Sequence, residues 1–149
     1  MVIIRPATDD DVPALRVIAT AAYEGYVPQI GRAPAPMTAD YAHAVRSGHA
    51  WVAANPQVVG FVILAPQPGY LLLENVAVLP AAQGRGVGTR LLALAEDEAH
   101  RLGLEEIHLY TNEAMTENLG YYQRHGYTET GRAEQDGFRR VFFRKRVTG

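Results

Sequence analysis

The chain has 149 residues, 48% apolar and 20% charged, a globular composition that excludes disordered, collagen-like and coiled-coil chains. One domain spanning 1–149 buries enough apolar surface to need no staple, and zero cysteines remove disulfides, thiolate metal sites and a cysteine nucleophile. Fourteen basic residues against sixteen acidic ones leave a formal charge of −2, so the basic excess of a nucleic-acid-binding protein is absent.

The opening Met1-Val2-Ile3-Ile4, halted by Arg5-Pro6, is far too short for a signal-peptide core. No later apolar run approaches the ~18 residues a bilayer requires. The expectation is a soluble cytoplasmic protein with no membrane partner. Val2 to Arg5 reads as a first strand. Thr8 with Asp11 resembles a capping box, and Val12, Leu15, Ile18, Ala19 and Ala22 recur at helical spacing behind it. From Tyr23 to Met37 the pattern dissolves into Tyr, Gly and Pro, too irregular for helix or strand. Thr38 is placed to cap a short second helix ending near Gly48.

Three strand-like runs follow, Ala50 to Ala54, Val58 to Leu64 and Tyr70 to Val78. Asn55-Pro56-Gln57 and Pro66-Gln67-Pro68-Gly69 separate them, and both are too short for a parallel crossover. The three must form an antiparallel meander. A glycine-rich turn then leads into Leu91, Leu92, Ala95, Ala99 and Leu102 at helical spacing, with Gly103 as the stop. Ile107 to Thr111 reads as a strand, Leu119 and Tyr122 as part of a helix ending at His125-Gly126. Tyr127 to Ala133 and Phe138 to Arg146 read as a hairpin turning at Asp136-Gly137. The order β-α-α-β-β-β-α-β-α-β-β describes one α/β (α+β) domain: a mixed, mostly antiparallel sheet of six to seven strands flanked by about four helices.

The turn Gln83-Gly84-Arg85-Gly86-Val87-Gly88-Thr89 lies between a strand and a helix. Helix-start amides without partners, the helix dipole and glycines that admit close approach together make an anion site, best suited to phosphate. Arg85 adds a charge at its rim. A P-loop is excluded because the turn has no lysine. A dinucleotide fingerprint fails because Thr89 stands at its third glycine and a meander, not βαβ, precedes it. The pattern Gln/Arg-x-x-Gly-x-Gly/Ala fits as Gln83, Gly86 and Gly88. A helix start with no ligand remains the plain alternative.

With these residues the chain resembles the GCN5-related N-acetyltransferase (GNAT) family. Val76-Ala77-Val78-Leu79-Pro80 resembles its fourth strand, Asn118 to Tyr127 its late Asn…Tyr…Gly-Tyr segment, and Arg5-Pro6-Ala7 its opening. Asn118 and Gly120 depart from the more frequent Asn-x-x-Ala spacing. The resemblance implies a sheet splayed between strands 4 and 5 and acetyl-coenzyme A as cosubstrate, with no metal. Amides from Gly84 through Arg85, Gly86, Val87 and Gly88 to Thr89 would take the pyrophosphate, and Gln83 belongs to the same turn. Backbone of Val76 and Val78 would pair with the pantetheine arm, and Ala77 or Val78 N–H would polarise the thioester carbonyl. Asn118, Tyr121 and Arg124 would lie along the coenzyme. A homodimer through the terminal strands is also consistent with the family.

Amine attack on a thioester needs a neutral amine, donors for the oxyanion and an acid for the thiolate. Glu74 interrupts an apolar run in a central strand, where burial would raise its pKa towards a base's range; the alternative is a strand-end charge paired with an arginine. Tyr122 is the candidate acid, by resemblance, or else an aromatic core anchor. Tyr23, Tyr26 and Arg32 lie where the family's acceptor pocket forms, and Tyr110 ends the fifth strand beside it. The same loop also reads as a Pro-rich segment packed on itself. His43, His49, His100, His108 and His125 make no metal-binding spacing. Arg139, Arg140, Arg144, Lys145 and Arg146 read as a solvated rim. The expected activity is acetyl transfer to a small-molecule amine; a protein acetylase and a non-catalytic coenzyme-binding module are its rivals.

Overall fold

Seven strands share one sheet in the order β1-β2-β3-β4-β5-β7-β6 in a computed structural model that describes residues 2–147. Met1, Thr148 and Gly149, which close the expected 1–149 domain, lie outside these residues. The strands are β1 (Ile3–Pro6), β2 (Ala50–Ala54), β3 (Val58–Gln67), β4 (Tyr70–Val78), β5 (Glu106–Asn112), β6 (Thr128–Gln135) and β7 (Phe138–Arg146). The helices are α1 (Val12–Tyr23), the single turn α2 (Val27–Ile30), α3 (Tyr41–Arg46), α4 (Val87–Arg101) and α5 (Thr116–Arg124).

β2, β3 and β4 form the antiparallel meander that their short connections demand. The second connection is tighter than the sequence suggests. Gln67 pairs with Tyr70, so Pro66 and Gln67 belong to β3 and the turn is Pro68-Gly69 alone. The long crossover through α4 makes β4 and β5 parallel, and β7 inserts between β5 and β6.

Both faces of the sheet are covered. Val62, Leu64, Leu71, Ile107 and Phe143 pack on the Leu91, Leu92, Ala95 and Ala99 stripe of α4. Phe61, Ile63 and Ala77 pack on Leu15, Ile18 and Ala19 of α1 and on Tyr41 of α3. Successive residues of β3 thus face opposite cores, which explains its unbroken apolar run. Each fully buried Leu or Phe contributes roughly 1.5–3 kcal/mol. Leu102, expected on the α4 stripe, lies past the helix end and is 38% exposed.

Three local expectations need correction. The segment 23–37 is largely helical: turns of 3-10 helix at Glu24–Tyr26 and Ala35–Met37 flank α2, each initiated by a Pro or by the preceding helix end. Asp40, not Thr38, caps α3, its side chain accepting from the His43 N–H at 3.0 Å. The Thr8–Asp11 box exists, with Thr8 N–H on Asp11 Oδ2 at 2.8 Å, but it closes a 3-10 turn ahead of α1. Asp11 is also gripped by both ends of the Arg5 guanidinium, at 2.8 and 3.0 Å, which holds its carboxyl below the usual range.

Candidate active site

The site begins with one extra residue in β4. Ile63 pairs with Asn75 but Leu64 pairs with Leu73, leaving Glu74 bulged out of the ladder. A single insertion exchanges the two faces of a strand. Accordingly Leu71 and Leu73 face α4 before the bulge, and Val76 and Val78 face it afterwards. Asn75 and Ala77 turn the other way, towards α1 and α3. Glu74 is therefore exposed, contrary to the expected buried carboxylate, and makes no arginine pair among the described residues. It stands on the wall of the larger cavity described below.

The bulge coincides with a gap. β4 pairs with β5 only through Leu71 with Ile107 and Leu72 with His108, and the strands part beyond them. Leu79 N–H donates to Val59 O at 2.8 Å, so alternation directs the Ala77 amide to β3 and the groups of Val76 and Val78 into the gap. Ala77 N–H is thus unavailable to a ligand. Val76 O accepts from the Tyr23 hydroxyl at 3.1 Å and Val78 O from Gln83 Nε2 at 3.2 Å.

Two cavities flank the gap. The smaller, about 350 Å³, runs from Gln83, Gly84, Val87 and Gly88 along Val76 and Val78. The larger, about 520 Å³, extends from Glu74 and Asn75 past Tyr110 and Thr111 to Phe138 and Arg140. Tyr23, Asn118 and Tyr122 line both, so the cavities adjoin at these three residues.

At the glycine turn, Gly84 has φ +80°, and no atom lies within 4 Å of where a Cβ would stand. Gly86, the N-cap of α4, brings no side-chain oxygen to the first-turn amides, which are left to an external acceptor. Gly88 lets Tyr121 approach closely: a Cβ there would stand 2.5 Å from the Tyr121 hydroxyl, which would have to move. Arg85 instead borders a separate recess with Val2, Asn55 and Arg90, and Thr89 is exposed on the helix surface.

α5 supplies the residues at the junction. Tyr122 is buried between Tyr127 and Phe143, and burial pushes its phenol well above the ordinary value. It is both a core anchor and a wall of the two cavities. Asn118 donates to Thr111 Oγ1 at 3.3 Å, while Tyr121 and Arg124 line the smaller cavity.

The expected acceptor residues separate. Tyr26 lines the smaller cavity rather than the larger, and burial, aided by the nearby Glu117 charge, raises its phenol. Tyr23 Oη is 2.7 Å from Asn75 Oδ1, and Asn75 Nδ2 donates to Tyr41 Oη at 2.9 Å; Tyr41 in turn donates to Pro36 O. Arg32 lines neither cavity. It stacks 3.8 Å over Phe138 and donates to Asp136 O at 3.1 Å, joining the 23–37 segment to the β6–β7 turn. Arg140 is the reverse case: read as solvated rim, it is 8% exposed and lines the larger cavity against Tyr110. Asn75 escaped the sequence reading altogether; only its parity with Ala77, after a bulge, signals an inward side chain.

The Acetyltransferase (GNAT) family model matches residues 13–127. A mycothiol acetyltransferase of Jonesia denitrificans is 36% identical over 92 residues, covering 60% of this chain but only 28% of that protein. A PaiA N-acetyltransferase from Thermoplasma acidophilum, solved with coenzyme A, superposes with a TM-score of 0.78 at 17% identity, covering 98% of this chain and 99% of the other. The ribosomal-protein-S18-alanine N-acetyltransferase of Escherichia coli superposes at 0.77 with 20% identity, covering 100% and 96%. Those two likenesses concern the fold, whose parted β4 and β5 match the expected splay. With the family model spanning most of its length, this chain belongs to the GCN5-related N-acetyltransferase family.

Proposed function

We propose that this protein transfers the acetyl group of acetyl-coenzyme A to the primary amine of a small molecule. The observation that carries the reading is the meeting of two cavities at Tyr122, Asn118 and Tyr23 in the gap between β4 and β5. One cavity ends at a cradle of helix-start amides, and the other ends among polar side chains. That arrangement suits two substrates arriving from opposite sides.

On this reading Gly84 and the first amides of α4 hold the diphosphate, and the backbone of Val76 and Val78 aligns the arm that follows. The coenzyme supplies an activated acetyl thioester. Tyr121 and Arg124 flank it. Glu74, at the wall of the larger cavity, takes the proton that an alkylammonium must lose, directly or through water; that loss costs roughly 4–5 kcal/mol at neutral pH for a free amine. Val78 N–H, facing the gap, donates to the carbonyl oxygen as negative charge builds there. The nitrogen–carbon bond forms, the carbon–sulfur bond breaks as Tyr122 gives its phenolic proton to the departing sulfur, and the proton shed by the new amide nitrogen leaves through water and restores the phenol. Burial keeps that phenol protonated at neutral pH.

A small acceptor is favoured because Arg32 stacks on Phe138, a wall of the larger cavity, and donates to Asp136 O, which joins the 23–37 segment to the β6–β7 turn beside that wall. Thiol release from acetyl-coenzyme A with a panel of small amines and of peptides tests the reading. Release with small amines supports it; release with peptides alone reassigns the acceptor, and coenzyme binding without release for either leaves a binding module.

A further inference from the structure

Arg140 is a charged group buried with little to neutralise it. Its side chain is 9% exposed, yet its only carboxylate neighbour among the described residues is Asp136 at 3.4 Å, whose own side chain is 78% exposed. A contact that long to a solvated carboxylate compensates little of the cost of burying a guanidinium. The remaining partner is Gln135 Oε1, at 2.7 Å from the same Nη1. The Nε and Nη2 donors therefore have no partner among the described residues. They are not sealed in protein: the one fully buried side-chain polar atom without a partner there is the Tyr127 hydroxyl. They keep some contact with solvent, and Arg140 is part of the wall of the larger cavity.

The guanidinium plane is held as well as placed. It lies 4.3 Å over the Tyr110 ring and 5.7 Å from that of Phe138. Nε and Nη2 form one edge of the fork, the edge that meets a carboxylate or phosphonate with two parallel hydrogen bonds. Arg32, the other arginine of this region, is spent on Phe138 and Asp136 O. The same wall carries Glu74 on β4, two strands away from Arg140 on β7, and Asp40 at the start of α3, both suited to a cationic amine and unsuited to an acid. Acidic and basic side chains thus stand on different elements around one cavity.

We infer that Arg140 receives an oxyanion on the acceptor, so that the substrate class is an amine bearing an acidic group at its far end. This inference rests on the proposed acetyl transfer. A neutral alkylamine leaves the Arg140 edge unpaired in the cavity, and a second cation placed there meets repulsion.

The test compares ω-amino carboxylates, ω-aminoalkylphosphonates and n-alkylamines of graded, matched length. Calorimetry with coenzyme A present reads binding, and thiol release reads turnover. The inference predicts that one acidic series exceeds the neutral series roughly 10- to 100-fold in kcat/KM, through KM, and in affinity. In Arg140→Gln that ratio falls towards one; in Arg140→Lys, which keeps charge but loses the fork, it falls part of the way. The favoured series identifies the oxyanion. Equal use of acidic and neutral amines by the unaltered protein overturns the inference, as does a ratio that survives Arg140→Gln. Acidic amines that bind through Arg140 without thiol release would instead count against acetyl transfer, which keeps the two failures distinguishable.

Discussion

The Tyr23 hydroxyl donates to Oδ1 of Asn75 at 2.7 Å, joining the end of α1 to the bulged strand β4 across 52 positions of chain. Asn75 passes the contact on to Tyr41, and Tyr41 to Pro36, so one buried amide ties three separate segments to the wall of the gap. Burial raises the phenols of Tyr23 and Tyr41, which keeps both as hydrogen-bond donors across the neutral range.

Asn75→Leu removes the acceptor and the donor at the centre of this chain of bonds. The expected loss is about 2 kcal/mol of folding stability, equivalent to roughly 4–8 °C in Tm for a domain of this size. Urea denaturation measures it. A change within 0.5 kcal/mol would show that Tyr23 and Tyr41 are held by their carbonyl partners alone.

Tyr122→Phe keeps the ring among Tyr127 and Phe143 and deletes only the hydroxyl. The expected outcome is a fall in kcat of roughly 10²- to 10⁴-fold with little change in KM for acetyl-coenzyme A. Because burial raises this phenol, the acid form persists as pH climbs through its ordinary value of about 10. The pH–rate profile should therefore show no descending limb from Tyr122 below that value. A limb near neutrality that disappears in Tyr122→Phe would contradict the assignment, and so would an unchanged kcat.

Gly88 and Tyr121 are expected to be coupled. Gly→Ala inside a helix normally stabilises by up to about 1 kcal/mol, but here the new Cβ meets the Tyr121 hydroxyl at 2.5 Å. Gly88→Ala should push Tyr121 aside, lower stability and weaken coenzyme binding. In a Tyr121→Phe background the nearest ring carbon stands at 3.6 Å, an ordinary contact, and Gly88→Ala should become neutral or stabilising. A double-mutant cycle by thermal unfolding reads the coupling; additive effects would refute it.

The elements that were legible in the sequence are those whose cause is local. The Gln83–Thr89 turn is visible because its glycines stand at fixed spacing. The meander follows from the shortness of its connections, and the hairpin from Asp136-Gly137, whose flanking Gln135 and Phe138 pair. What escaped depends on pairings between distant segments. The Glu74 bulge exists only relative to β3, and without it the alternation of β4 turns Asn75 towards α4 with Leu71 and Leu73, and Glu74 towards α1 and α3. Arg32 and Arg140 trade places for the same reason: nothing near Arg32 shows that Phe138 will lie beneath it. Arg140 differs from the exposed Arg139, Arg144 and Arg146 of the same cluster in sharing the inward face of Phe138, and Lys145, also read as solvated, is half-buried against Glu96 and His125 O.

The most direct test of the account is the affinity of acetyl-coenzyme A for Gly84→Asp against Gly84→Asn, measured by calorimetry at several salt concentrations. Asp and Asn match in size and tolerate the left-handed backbone that Gly84 adopts, so the pair differs essentially in charge. The account predicts saturable binding to the unaltered protein, a modest loss in the Asn variant, and a further loss of tenfold or more in the Asp variant that shrinks as salt rises. Equal affinities for the two variants, or no binding by the unaltered protein, would contradict it.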